Sequence, residues 1–265
     1  MTTLLGAHAG AMIGMAQAVI AARVSARRLT AFFATRTDID ETGDATGASG
    51  ALADAETGLQ IEPGRLTVVV SAEGRPAADA LERLARYKDS QATWGSEPLG
   101  EIALTEIRER VLLLGEDYLF AQTLGETLRG DPEAALAAIE TACAADVYSS
   151  LGSDLDAEIT NGGRNLSGGQ RQRLRLARAL AAESEALLAV EPTSAVDAHT
   201  ESLIAERVAA ARAGRATAVV TASPLWLARA DRVVWMWEGK VRAAGTHAEL
   251  SLDREYRALT SRQES

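Results

Sequence analysis

Three short apolar runs constrain the fold of this chain more than any other feature. Leu66–Val70 (LTVVV), Ala186–Val190 (ALLAV) and Ala216–Thr221 (ATAVVT) read as buried strands, the first entered through a Pro63-Gly64 turn. Each adjoins a helix-like stretch: Ala77–Tyr87 follows the first, Gly169–Ala182 precedes the second and Glu201–Arg212 precedes the third. Buried strands separated by helices predict a mostly parallel sheet with helices on its faces, an α/β fold. The composition agrees. Aromatic residues are only 4% of the chain, and the excess within its 47% hydrophobic share is Ala, which favours helices over an all-β sandwich.

The chain begins with an apolar head. No side chain from Met1 to Ala22 is charged, and Leu4–Ile20 has about the length that crosses a bilayer. Arg23, Arg27 and Arg28 follow directly, and the positive-inside tendency places that end and the body after it in the cytoplasm. Charge after the apolar run, rather than before it, argues against a secretory signal peptide. Residues 1–34 therefore read as an apolar or amphipathic helix that either enters a membrane or buries itself against protein. A Thr, Asp, Gly, Ala and Ser mixture reads as a linker over 35–52. The main domain is expected over 53–250 and a C-terminal tail over 251–265. With 27 basic and 37 acidic side chains the formal net charge is −10, which argues against a nucleic-acid partner. Cys143 is the only cysteine, so no intramolecular disulfide or Cys-rich zinc site can form, and a reducing compartment fits.

The sharpest motif is Leu166–Arg173, LSGGQRQR, followed by LRLARALA. Ser167 can cap a helix starting near Gly168. Gly168 and Gly169 then let backbone N–H groups approach an anion at the positive end of the helix dipole. Arg171, Arg173, Arg175 and Arg178 recur along this helix and read mostly as a solvated face.

The ordered set of this loop, its Arg-rich helix, the strand ALLAV, Glu191-Pro-Thr-Ser194 and Ala195-Val-Asp197 resembles the nucleotide-binding domain of ATP-binding cassette (ABC) transporters. The resemblance covers about Ala53 to Leu250 and includes the closing ADRVVWMWEGKVRAAGTHAEL. It implies a P-loop NTPase-like ABC ATPase fold, with a mostly parallel sheet, flanking helices and an α-helical signature subdomain. The chain departs from the family pattern at the nucleotide face. A P-loop has the form GxxxxGK followed by Ser or Thr, for phosphate wrapping, β/γ charge and Mg²⁺. Here Ser71 stands for the first Gly, Pro76 for the second, Ala77 for the Lys and Ala78 for the hydroxyl residue, while Gly74 keeps its type at an inner position. Pro76 also removes an N–H donor. Val190 stands where the resemblance places a metal-associated Asp, and Ala222 where it places a γ-phosphate His. Val111–Phe120 contains no Gln, and Arg36–Gly64 no aromatic to stack on adenine. Glu191, the family's water-activating base, remains.

Loss on one face beside an intact signature loop reads as selective. In this family two domains pair head to tail, each ATP lying between one P-loop face and the other's signature loop. The resemblance therefore implies a degenerate subunit of a heterodimeric exporter. Leu166, Ser167, Gly168, Gly169 and Gln170 would act in trans, and Ser194 and Asp197 would belong to the loop coupling the two sites. ATP and Mg²⁺ would be held mainly by a partner ABC half-transporter or nucleotide-binding domain with intact motifs, and by this chain alone not at all. The apolar head would be the end of a last transmembrane helix, placing the domain at the cytoplasmic face of a membrane with a membrane domain as a further partner. Two alternatives stay open. One is a self-sufficient ATPase homodimer using Glu191. The other is a non-catalytic interaction module, for which Ser167 and Gly168 are dispensable.

Overall fold

A computed structural model describes residues 15, 17–30, 39, 42–115, 118–129 and 131–261. The chain divides into two units, Met1–Asp38 and Ile39–Ser265. In the first, residues 17–30 form a helix (α1) whose side chains are exposed. The rest of the apolar head expected over 1–34, namely 1–14, 16 and 31–34, lies outside the described residues. Among the described residues no helix is long and apolar enough to cross a membrane.

The second unit begins earlier than the composition predicts. Within the linker expected over 35–52, Ala45 bridges Ile102 and Ala48 is buried. Gly47 donates its amide to Glu106 Oε1 at 2.8 Å, and Arg110 Nη2 donates to the Ala48 carbonyl at 2.6 Å. Gly43 permits this docking, because a Cβ there would lie 2.6 Å from the Ile102 carbonyl oxygen. The small residues that look like a flexible connection thus serve a close backbone approach.

Strands β1 (Leu52–Asp54), β2 (Leu59–Ile61), β3 (Leu66–Ser71), β4 (Thr93–Trp94), β5 (Glu97–Pro98), β6 (Val111–Leu114), β7 (Gln122–Thr123), β8 (Glu158–Ile159), β9 (Ala186–Val190), β10 (Ala216–Val220), β11 (Arg232–Trp237) and β12 (Lys240–Gly245) form three sheets. The central sheet has the order β12-β11-β3-β10-β9-β6, parallel except for β12 at one edge. The predicted strands lie at its centre. A four-stranded antiparallel sheet, β2-β1-β4-β5, and the pair β7–β8 complete the set. The helices are α2 (Gly74–Leu84), α3 (Leu104–Arg110), α4 (Leu124–Leu128), α5 (Pro132–Thr141), α6 (Ala145–Ser150), α7 (Gly168–Ala181), α8 (Ala198–Ala211), α9 (Pro224–Leu227), α10 (His247–Leu250) and α11 (Arg254–Thr260).

The two-residue period of the strands sorts their side chains into two cores. Val68, Val70, Leu187, Ala189, Val219 and Trp235 join the core that includes residues of α5, α7 and α8. Val69, Leu188, Ala218, Val220 and Met236 join the core that includes α2 and the antiparallel sheet. Burial on both faces is why these runs show no polar alternation in sequence. The residues expected as a C-terminal tail include α11, which buries Tyr256 against Trp235, ring centroids 5.7 Å apart.

Candidate functional site

The carboxyl ends of the parallel strands and the start of α7 meet around a cleft of about 790 Å³. Ala78, Gly168, Gln172, Val190, Glu191 and Ser194 are among the residues that line it.

At the head of α7, Ser167 is the N-cap. Its Oγ accepts from the Gln170 amide at 3.2 Å, and Gln170 Oε1 accepts from the Ser167 amide at 2.9 Å, a reciprocal capping box. Gly168 and Gly169, the first helical residues, keep N–H groups that have no intrahelical acceptor. The two glycines serve different purposes. A Cβ on Gly168 would meet nothing within 4 Å, whereas one on Gly169 would lie 2.7 Å from the Ala195 carbonyl oxygen. Gly169 is therefore required for packing inside this chain, and Gly168 is an open surface position. Leu166 is buried behind them.

Gln172, which the sequence reading did not single out, joins this helix to the strand that follows it. Its Nε2 donates to the Glu191 carbonyl at 2.9 Å and to Ser194 Oγ at 3.0 Å, and its Oε1 accepts from the Ala195 amide at 2.7 Å. The available signal was spacing, since Gln172 lies four residues after Gly168 and so on the same helix face. Gln172→Ala removes all three bonds. The expected result is a loss of about 1–2 kcal/mol in urea unfolding, together with faster exchange of the Ala195 amide.

Glu191 follows β9 with φ of +44°, and its amide donates to the Val220 carbonyl at 3.0 Å. Its Oε2 accepts from Thr221 Oγ1 at 3.1 Å. Enclosure by the surrounding protein pushes the carboxyl above the ordinary glutamate value; the Thr221 bond opposes this and Glu201 adds to it. Thr221, expected as the last strand residue, lies past β10 and turns its hydroxyl to Glu191. Asp197 caps α8, accepting from the Thr200 amide at 3.0 Å and Thr200 Oγ1 at 2.8 Å, and these bonds hold its carboxyl below the usual range.

The β3–α2 connection is short. Ser71 ends the strand, and its Oγ donates to the Glu73 carbonyl at 2.8 Å while accepting from the Glu73 amide at 3.3 Å. The helix begins at Gly74, which puts Pro76 in its first turn. Ala77 is buried, and Pro76 lies where a Cβ on Gly239 would meet it at 3.7 Å. Val190 ends β9 in register with Val220. Ala222 is half-buried, packed against the core that includes α7, and does not line the cleft. Among the described residues, no group of three or more His, Cys, Asp or Glu side chains is placed to hold a metal ion. Residues 116 and 117, within the run Val111–Phe120 that contains no Gln, lie outside the described residues.

Residues 77–194 match the family described as ABC transporter. The body of this chain is an ABC transporter ATP-binding domain. This ABC domain is similar to the ATP-dependent lipid A-core flippase of Hahella chejuensis, at 32% identity over 235 residues, covering 84% of this chain and 40% of that protein. It is also similar to the flippase of the same name from Acinetobacter baylyi, at 33% identity over 206 residues, covering 73% and 36% of the two chains. The ABC domain thus spans well under half the length of these relatives. Among solved structures it matches a bacterial Atm1-family ABC exporter with ATP bound, with a TM-score of 0.79 at 20% identity, over 91% of this chain and 47% of that one. That likeness concerns the fold.

Proposed function

We propose that this chain is the degenerate nucleotide-binding domain of a heterodimeric, flippase-like ABC exporter. Its signature loop, Ser167 to Gln170, completes an ATP site whose P-loop, metal anchor, base and switch residue belong to a partner. The observation that carries this reading is the asymmetry between the two faces. The signature helix presents a capped N-terminus with open space at Gly168, while at the P-loop position the Ser71 hydroxyl turns back onto the Glu73 backbone and Ala77 and Ala78 bring no polar side chain. Ser194 and Asp197 would lie at the partner interface, and the capping by Asp197 is compatible with that role. The names of the curated relatives support an exporter at the cytoplasmic face of a membrane, with a membrane domain as the further partner.

ATP and Mg²⁺ do not fit the donor set of this chain. Ala77 offers no ammonium, Ala78 no hydroxyl and Val190 no carboxylate, and Pro76 lacks an N–H. Glu191 keeps a carboxyl of raised pKa, which suits a general base. This favours, as the second reading, a self-sufficient ATPase. The experiment that separates them is a calorimetric titration of the full chain with MgATP at millimolar nucleotide. The expected result is no Mg²⁺-dependent binding; saturable binding that requires Mg²⁺ overturns the degenerate reading and favours the second.

A further inference from the structure

Two clamps close on the turn that leaves β9. One comes from α7, where Gln172 bonds to the Glu191 carbonyl, Ser194 Oγ and the Ala195 amide. The other comes from α9. Trp226 is 1% exposed, and its indole Nε1 donates to Thr193 Oγ1 at 2.9 Å. Thr193 is buried as well, and its hydroxyl donates to Glu201 Oε1 at 2.7 Å. Glu201 lies in the first turn of α8, the helix that Asp197 caps. One hydroxyl, accepting and donating at once, therefore joins the turn to two helices. A second link runs beside it: the Ser223 amide donates to Thr221 Oγ1 at 3.2 Å, and that hydroxyl donates to Glu191 Oε2. Inside the turn the amides of Ser194 and Val196 donate to the carbonyls of Glu191 and Thr193. Glu191 itself has φ of +44°. A non-glycine residue persists in that region only where its surroundings over-determine it, and the two clamps do so here.

We propose that Trp226 is a positioning residue: acting through Thr193, it holds residues 191–197 in one preset conformation, in which Ser194 and Asp197 meet the partner domain without rearranging. The inference rests on the reading that these two residues lie at a partner interface. Its physical basis is preorganisation. A loop ordered beforehand avoids the entropy cost of ordering on association, and small displacements of positioning groups lower turnover steeply. A buried indole N–H needs an acceptor, and Trp226 finds it in a residue 33 positions away. Loss of that bond leaves the Thr193 hydroxyl held from α8 alone, so the turn is no longer fixed from both sides.

The test uses variants that keep the packing and remove the bonds. Trp226→Phe keeps a buried ring without the N–H, Thr193→Val keeps the shape without the hydroxyl, and Thr193→Ser keeps the hydroxyl. In the full chain, hydrogen exchange at the Ala195 and Val196 amides is expected to quicken roughly tenfold in the first two variants and to stay near wild type in Thr193→Ser. In a complex with an ATP-competent partner, the first two lower kcat for ATP roughly tenfold with KM unchanged, and Thr193→Ser restores kcat. Trp226→Phe combined with Thr193→Val loses no more than either alone, as groups of one network do. Circular dichroism checks the fold of each variant; if Trp226→Phe unfolds, the comparison of Thr193→Val with Thr193→Ser decides. Unchanged exchange in the first two variants, or equal loss of kcat in Thr193→Ser and Thr193→Val, overturns the clamp. Unchanged kcat in them, where Gly168→Asp abolishes turnover, overturns it too and leaves the trans role standing. Turnover untouched by Gly168→Asp overturns both.

Discussion

On the proposed trans role of the signature loop, Gly168→Asp in a complex with an ATP-competent partner abolishes ATP turnover. The loss expected is roughly 100-fold or more, the scale on which removal of one preorganised charge-stabilising donor acts in an active site. The side chain meets nothing within 4 Å in this chain, and an acidic residue in the first turn of a helix is favourable to the helix dipole. The fold of the domain is therefore preserved, and unfolding curves of wild type and variant coincide. What changes is the charge presented to the partner's nucleotide, where a carboxylate faces the γ-phosphate. Steady-state ATPase activity of the purified complex is the measurement, and unchanged turnover removes the trans role of the signature loop. In the same complex Glu191→Gln has a small effect on the degenerate reading, in which its own face lacks the phosphate and metal contacts a base needs. A large loss in that variant instead revives the self-sufficient ATPase.

Arg83→Ala is the substitution expected to cost most in stability. Arg83 Nε and Nη2 donate to Asp54 Oδ1 and Oδ2 at 3.0 and 2.8 Å, with side-chain exposures of 9% and 1%. Removing one partner of such a pair strands the other as an uncompensated buried charge, at about 3–5 kcal/mol. Asp54→Ala on top of Arg83→Ala recovers part of that loss. The same pair makes stability depend on pH. Burial pushes the Asp54 carboxyl up, but the bonds from Arg83 and Thr57 outweigh it and hold it below the ordinary value of 3.8. A depressed carboxyl contributes stability fully above its unfolded value and loses it as pH falls through the folded one. Urea midpoints measured from pH 6 downward therefore fall more in wild type than in Arg83→Ala; parallel profiles contradict the assignment.

Much of the architecture was legible from side-chain period and polarity alone. The buried strands at Leu66, Ala186 and Ala216 appear in register at the centre of the sheet, and Ser167 caps the helix that LSGGQ announces. Helix starts were less legible: α8 begins at Ala198, three residues before the apolar pattern starts, because Asp197 supplies the cap. The segment before Leu52 was misread as a connection. Its glycines and small polar residues are common to linkers and to close backbone packing, and local composition does not separate the two.

The candidate site divides in the same way. The proposed absence of Lys, hydroxyl and Asp groups rests on residue type at Ala77, Ala78 and Val190 and so needs no coordinates. The meaning of the two signature glycines was not contained in the motif. Both are Gly, and only the Ala195 carbonyl, brought up by the chain beyond β9, distinguishes the packed Gly169 from the open Gly168. Gln172 and Arg175 look like members of one polar helix face, yet one is satisfied by three bonds and the other by none. The sequence alone determined which chemical groups this face retains, because that follows from residue identity and local period. Which of those groups already have partners within the chain was decided only by the tertiary structure, because those partners come from segments far away along the chain.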